Sequence, residues 1–81
     1  MVKVIKIQVQ NAAGQPMAGQ AVDLTGSGER VSTFEGNVQF LSDEIANAVI
    51  KIGGAKAWSG STADLKPQEI FKQVGADFVR S

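Results

Sequence analysis

The pattern at the start of the chain constrains the fold more than any other feature. Three apolar residues alternate there with three polar ones: Ile5, Ile7 and Val9 with Lys6, Gln8 and Gln10. Because successive side chains of a β-strand point to opposite faces, this period of two predicts a strand over residues 2–10 with one buried and one solvated face. Val2 and Val4 have the opposite parity, which favours a β-bulge or a change of sheet near positions 4 and 5.

Two lysines of this first strand, Lys3 and Lys6, are expected to project from its outer face or edge. Lysine at such positions discourages pairing with the sheet of another molecule. The two residues are therefore interpreted as protection of the sheet.

Short strands separated by turns are predicted along most of the remaining chain, because nine glycines are spread through it. The predicted strands are Gln20–Thr25, Arg30–Phe34, Val38–Phe40, Ala48–Ile52, Ala55–Ser59 and Ala76–Val79. The polar run Ser42–Glu44 is interpreted as a turn that opens a single helical turn through Asn47.

The tail has a different character. Pro67 suits the first position of a helix and Gly75 suits a C-terminal cap. Ile70, Phe71 and Val74 lie between them at helical spacing, which predicts a short helix from Pro67 to Val74. We therefore expect residues 1–81 to form one mainly β domain, an antiparallel β-sandwich of six or seven short strands with one short helix near the C-terminus.

Size and composition restrict the function. The chain has 81 residues, no His and no Cys, and eight Lys and Arg balance eight Asp and Glu. Without His or Cys there is no Ser-His-Asp or Cys-His nucleophile, no His/Cys zinc site and no disulfide. A net charge of zero argues against a nucleic-acid binder, which carries a basic excess. We expect a protein that is not an enzyme and holds no cofactor or metal.

The chain shows no targeting signal. A signal peptide needs about 7–15 unbroken apolar residues and a membrane span about 18, and lysines interrupt the apolar residues at the N-terminus. As written, the sequence is that of a cytoplasmic protein without a membrane span. A mature secreted domain with a new initiator Met would have the same sequence, so the compartment stays open.

Two segments resemble a known family. Residues 7–24 contain a valine strand, Asn11, the Gly14-Gln15-Pro16 turn and a Val-x-Leu strand, and residues 33–40 read Thr-x-x-Gly-x-Val-x-Phe. Together they resemble prealbumin-like β-sandwich modules, which include carboxypeptidase regulatory-like and bacterial Ig-like domains. The resemblance extends over residues 4–52 and departs from the pattern in two places: at Glu35, where those modules usually have Asp or Asn, and at Ser42–Asn47, which is longer than their usual tight turn. It implies an Ig-like sandwich used for cohesion, spacing or docking.

Trp58 is the first candidate for a binding residue, because the chain has one Trp and no Tyr. If it is exposed, it can stack on a sugar ring or anchor a protein interface, with Lys56, Ser59 and Ser61 beside it. The alternative is that Trp58 fills the core. In the predicted helix, Ile70 and Phe71 either close one end of the sandwich or dock to a partner.

The favoured function is therefore a structural or protein-interaction module, an accessory subunit that docks to a larger assembly or associates with itself. Zero net charge and small size both favour association. The alternative from another class is a module that binds a carbohydrate or similar small ligand around Trp58.

Overall fold

The computed structural model describes residues 3–80, which form eight strands and one short 3-10 turn. The strands are β1 Lys3–Gln10, β2 Ala21–Leu24, β3 Gly28–Val31, β4 Asn37–Ser42, β5 Ala48–Ile52, β6 Ala55–Gly60, β7 Gln68–Val74 and β8 Asp77–Arg80, and the 3-10 turn is Thr62–Asp64. The prediction of a mainly β protein is confirmed, with at least one strand more than expected.

The strands form two sheets that pack face to face. Sheet A has the order β4-β1-β7-β8 and sheet B the order β3-β2-β5-β6. The predicted antiparallel arrangement holds for every neighbouring pair of the described part of the chain except β1 and β7, which run parallel. The edge strands of the two sheets face each other, β3 against β4 and β6 against β8.

The core lies between the sheets and follows from the alternation in the sequence. In β1 the three apolar residues of the period-two pattern are fully buried, and their polar neighbours lie on the outer face. Strands β2, β4, β5, β7 and β8 contribute inward-facing side chains to the same cluster, whereas β3 contributes none and β6 only the partly buried Ala57 and Trp58. The buried members of the cluster are Ile5, Ile7, Val9, Val22, Leu24, Val38, Phe40, Ala48, Ile50, Ile52, Leu65, Phe71 and Phe78.

The predicted helix over residues 67–74 is wrong, because residues 68–74 form β7. Parallel pairing with β1 places Phe71 beside Val9 on the inner face, whereas Ile70 pairs with Gln8 on the outer face. Gly75 has a φ of +61° and makes the turn to β8 rather than a helix cap. Among the described elements, none is a helix of the length and apolarity that crossing a bilayer requires.

The first strand is more regular than expected. β1 pairs with β4 without a shift of register from Lys3 to Gln8, so the predicted irregularity near positions 4 and 5 is absent from the described residues. Val4 lies exposed on the outer face, and Val2 lies outside the described residues. Lys3, expected on the outer face or edge of the strand, is half-buried, and its Nζ donates hydrogen bonds to the Thr62 and Leu65 carbonyls.

Two further boundaries differ from the sequence prediction. The third strand covers Gly28–Val31 instead of Arg30–Phe34, which leaves Phe34 in the turn before β4. The segment after β4, residues 43–47, is a loop without the expected helical turn.

Candidate functional site

Trp58 lies on the inner side of sheet B. It pairs with Ile50, a core residue, and its half-buried side chain packs against the core cluster. The backbone of Gly60 lies so close to the indole that a Cβ at this position would be 3.0 Å from Cζ2. Trp58 therefore covers one edge of the core. Its exposure lies between the two predicted alternatives, an exposed stacking residue and a fully buried core residue.

The residues predicted to act with Trp58 lie elsewhere. A register shift between Ile50 and Lys51 inserts one extra residue into β6, so that Lys56 pairs with Lys51 on the outer face of sheet B. Ser59 pairs with Val49 on that same face. Ser61 accepts a hydrogen bond from the Ala63 N–H at 3.2 Å and caps the 3-10 turn.

The structure also separates the two other predicted residues. Phe71 is fully buried in the core, and Ile70 is half-buried on the outer face of sheet A. The six predicted residues therefore do not converge on one surface. Trp58 and Phe71 serve the core, Lys56 and Ser59 lie on the outer face of sheet B, Ser61 caps the 3-10 turn and Ile70 lies on the outer face of sheet A.

Most of the exposed large hydrophobic side chains of the described chain lie on the outer face of sheet A. Six large hydrophobic side chains are exposed in residues 3–80, and four of them lie on this face: Val4, Leu41, Val74 and Val79. Val4 and Leu41 are direct cross-strand partners, and Val79 pairs with Lys72. The remaining two are Val31, on the outer face of sheet B, and Phe34.

A polar cleft lies on the same face, between the Val4–Leu41 pair and the turn before β4. Its centre is a row across three strands, because Lys6 pairs with Gln39 of β4 and with Gln68 of β7. The Lys6 N–H donates to Pro67 O on the β7 side, so Lys6 and Gln39 form a non-hydrogen-bonded pair, in which side chains approach most closely. The cleft has a volume of about 340 Å³, and Thr33, Glu35, Asn37 and Val38 complete its lining.

Phe34 lies between two lining residues of this cleft and is 93% exposed. Its turn is well connected, because the Thr33 carbonyl accepts from the Gly36 N–H at 2.8 Å and the Thr33 N–H donates to Asn37 O at 3.0 Å. The turn is also anchored to β1, since the Val9 N–H donates to Gly36 O at 2.8 Å. An aromatic side chain is thus held in solvent by an ordered backbone.

Sequence reasoning missed Phe34 because residues 30–34 read as a strand. The usable signal is the Thr33-Phe34-Glu35-Gly36 segment itself, in which a glycine-terminated turn carries a large aromatic residue between two polar ones. Exposed aromatic residues on turns are frequent binding residues.

The charges around the cleft balance. Lys6 and Glu35 are its two charged lining residues, and the other polar lining residues are neutral. Within residues 3–80, His, Cys, Asp and Glu form no group of three or more that is arranged to hold a metal ion. The arrangement can bind through hydrogen bonds and through one aromatic surface.

Comparisons with protein-family models, with curated proteins and with solved structures find no match for this chain. Its function is therefore inferred from the chemistry of the residues described above.

Proposed function

We propose that the chain is a non-catalytic interaction module of the prealbumin-like or Ig-like sandwich class, and that it docks to a protein partner through the outer face of sheet A. The observation that carries this proposal is that four of the six exposed large hydrophobic side chains of residues 3–80 lie on this face, as the pair Val4 and Leu41 near one end and Val74 and Val79 near the other. Exposed aliphatic side chains gain the most when a partner removes them from water.

The proposed class is supported by where the residues of the family pattern lie. Asn11 Oδ1 accepts from the backbone N–H groups of Ala13 and Gln15, which closes the turn that ends at Pro16. The Val-x-Leu strand supplies Val22 and Leu24 to the core. Each element of the pattern has the structural role that a small sandwich module requires.

Sheet B offers a less suitable surface. Its outer face carries four charged side chains, Glu29, Asp23, Lys51 and Lys56, in one row across four adjacent strands, against a single exposed large hydrophobic side chain in the described residues, Val31. Desolvating such charges opposes binding unless the partner compensates each of them. The outer face of sheet A carries two positive side chains, Lys6 and Lys72, and one negative side chain, Asp77. A partner with a slightly acidic, partly apolar surface therefore complements it.

Docking by addition of a strand at the β4 edge of sheet A is disfavoured. The backbone groups of β4 that point away from β1 belong to Asn37, Gln39 and Leu41, since Gly36 bonds towards β1. Thr33 already binds Asn37, and the Ser27 hydroxyl donates to Leu41 O at 3.2 Å. The stretch left around Gln39 is too short to pair with another strand.

The proposal is tested by site-specific crosslinking at two matched positions. Leu41 on sheet A is 60% exposed, and Val31 on sheet B is 61% exposed, so the two positions differ in face and not in accessibility. A photoreactive phenylalanine analogue is placed at either position in cells that produce the protein, and covalent adducts are separated by mass after irradiation.

We expect a discrete adduct from position 41 and none from position 31. The adduct should disappear when Val4, the cross-strand partner of Leu41, is replaced by Glu. An adduct of twice the mass of the chain would identify a second copy as the partner and overturn docking to a different protein. Equal adducts from both positions, or none from position 41, would overturn the choice of face.

A further inference from the structure

The lining of the cleft around Lys6 consists of hydrogen-bonding groups that the fold does not use. The side chains of Lys6, Glu35, Asn37, Gln39 and Gln68 make no hydrogen bond to any other residue in the range 3–80. By contrast, the neighbouring amides on this face are engaged, because Gln10 donates to Gln8 and Gln8 donates to Glu35 O. The five lining side chains are open to solvent and therefore free to bind a ligand, and convergent polar groups in a cleft fix the orientation of a ligand and provide specificity.

The chemistry of these groups selects the class of ligand. An anion would meet the carboxylate of Glu35, and a cation would meet the ammonium of Lys6. The three carboxamides each donate and accept hydrogen bonds, and Lys6 adds donors while Glu35 adds acceptors. A neutral ligand with many hydroxyl groups can use all of them, because each hydroxyl both donates and accepts.

Phe34 is the candidate for the apolar part of such a site, because it does not line the cleft itself but lies in the turn between the lining residues Thr33 and Glu35. Its ring contributes to no core contact, yet the turn that carries it is held to β1 through Gly36. Pyranose rings have an apolar face of C–H groups, which an exposed aromatic ring can cover. Pockets for small molecules have volumes of about 300 to 1,000 Å³. The cleft, at about 340 Å³, has the size for one or two sugar units.

We propose that this cleft is a saccharide-binding site in which Phe34 stacks on one sugar ring while Lys6, Gln39, Gln68, Asn37 and Glu35 bind its hydroxyl groups. This site is distinct from Trp58, and it does not depend on the proposed protein docking. Isolated protein suffices to test it, so its failure leaves the crosslinking result unaffected.

The test is an NMR titration of ¹⁵N-labelled protein with cellobiose, maltose, lactose and N,N′-diacetylchitobiose, each taken to high millimolar concentration. The side-chain NH₂ signals of Gln39, Gln68 and Asn37 report on the cleft, and those of Asn47 report on the loop between β4 and β5 as an internal control. Inorganic phosphate is titrated separately as a probe for simple anion binding at Lys6.

We expect at least one disaccharide to shift the three cleft amides in a saturable manner and to leave Asn47 unchanged. Phe34→Ala should weaken that binding by about tenfold, the loss expected for an aromatic stacking contact. The matched control Val31→Ala removes an exposed apolar side chain from sheet B and should leave the affinity unchanged.

Three outcomes would overturn the proposal. The first is that no disaccharide shifts the cleft amides. The second is that phosphate shifts them and the sugars do not, which would make the cleft an anion site. The third is that a sugar quenches the fluorescence of Trp58 without moving the cleft amides, which would return the ligand site to sheet B.

Discussion

Arg80 donates two hydrogen bonds to the carboxylate of Glu69, from Nε to Oε1 at 3.0 Å and from Nη2 to Oε2 at 2.8 Å. The Glu69 side chain is 3% exposed and that of Arg80 31%. The same carboxylate accepts the Lys66 N–H, and Arg80 also donates to the Asp64 carbonyl. The pair thus joins the last strand, β8, to β7 and to the segment that precedes β7.

Replacing Arg80 alone should destabilise the protein strongly. Arg80→Met leaves the buried carboxylate of Glu69 without its cation, which we expect to lower the free energy of unfolding by about 3 kcal/mol. Glu69→Met combined with Arg80→Met removes both charges and should cost less than Arg80→Met alone. Urea unfolding followed by Trp58 fluorescence measures each variant. Additive losses in the double variant would contradict this account of the pair.

Strands β1 and β7 differ in how far their local sequence determines their structure. In β1 the alternation of Ile5, Ile7 and Val9 identifies strand, face and core without other information. In β7 the buried inner positions are Glu69 and Phe71, so the buried face carries a charge and no apolar alternation is visible. The pairing partner that makes this segment a strand is β1, about sixty residues earlier in the chain. Local spacing therefore favoured a helix, and tertiary pairing overrides it.

The candidate site shows the same limit. Lys6 could be placed on the outer face of β1 from its parity, and that prediction is confirmed. Gln39 and Gln68 become its neighbours through the register of β4 and β7, which no local pattern contains. Residues 30–34 have a strand-forming composition, so Phe34 was predicted to lie in a strand. It lies instead in a turn that hydrogen bonds of Thr33 and Val9 hold in place.

A side chain at Gly36 should destabilise the protein more than one at any glycine in open space. The φ of Gly36 is +78°, and a Cβ there would lie 2.7 Å from the carbonyl oxygen of Val9 and 3.0 Å from the Met17 nitrogen. Gly14 is a matched control, because its φ is +84° and a Cβ there would meet no atom within 4 Å beyond its chain neighbours. We expect Gly14→Ala to cost about 1 kcal/mol for the left-handed backbone alone, and Gly36→Ala at least twice that. Equal losses in thermal unfolding would show that the close approach to Val9 is unimportant.

Thr62 joins the loop after β4 to the segment after β6. It is 1% exposed, and its Oγ1 accepts the Ile45 N–H at 2.9 Å. Thr62→Val keeps the shape and leaves that N–H without its partner, so we expect a loss of about 1 to 3 kcal/mol. Thr62→Ser keeps the hydroxyl and should lose less. Hydrogen exchange at the Ile45 amide provides a local readout, and an unchanged exchange rate in Thr62→Val would contradict the assignment.

Trp58 and Phe34 should respond in opposite ways to truncation. Trp58 packs against the core, so Trp58→Ala should lower the free energy of unfolding by about 2 kcal/mol, less than a fully buried Trp because it is half-buried. Phe34 is 93% exposed, and Phe34→Ala should change stability by no more than about 0.5 kcal/mol. Far-UV circular dichroism during urea unfolding measures both variants without relying on the Trp signal.

A large loss in Phe34→Ala would mean that the ring stabilises the turn and is not held in solvent for a ligand. A negligible loss in Trp58→Ala would mean that the indole does not cover the core, and the binding role first considered for it would regain support.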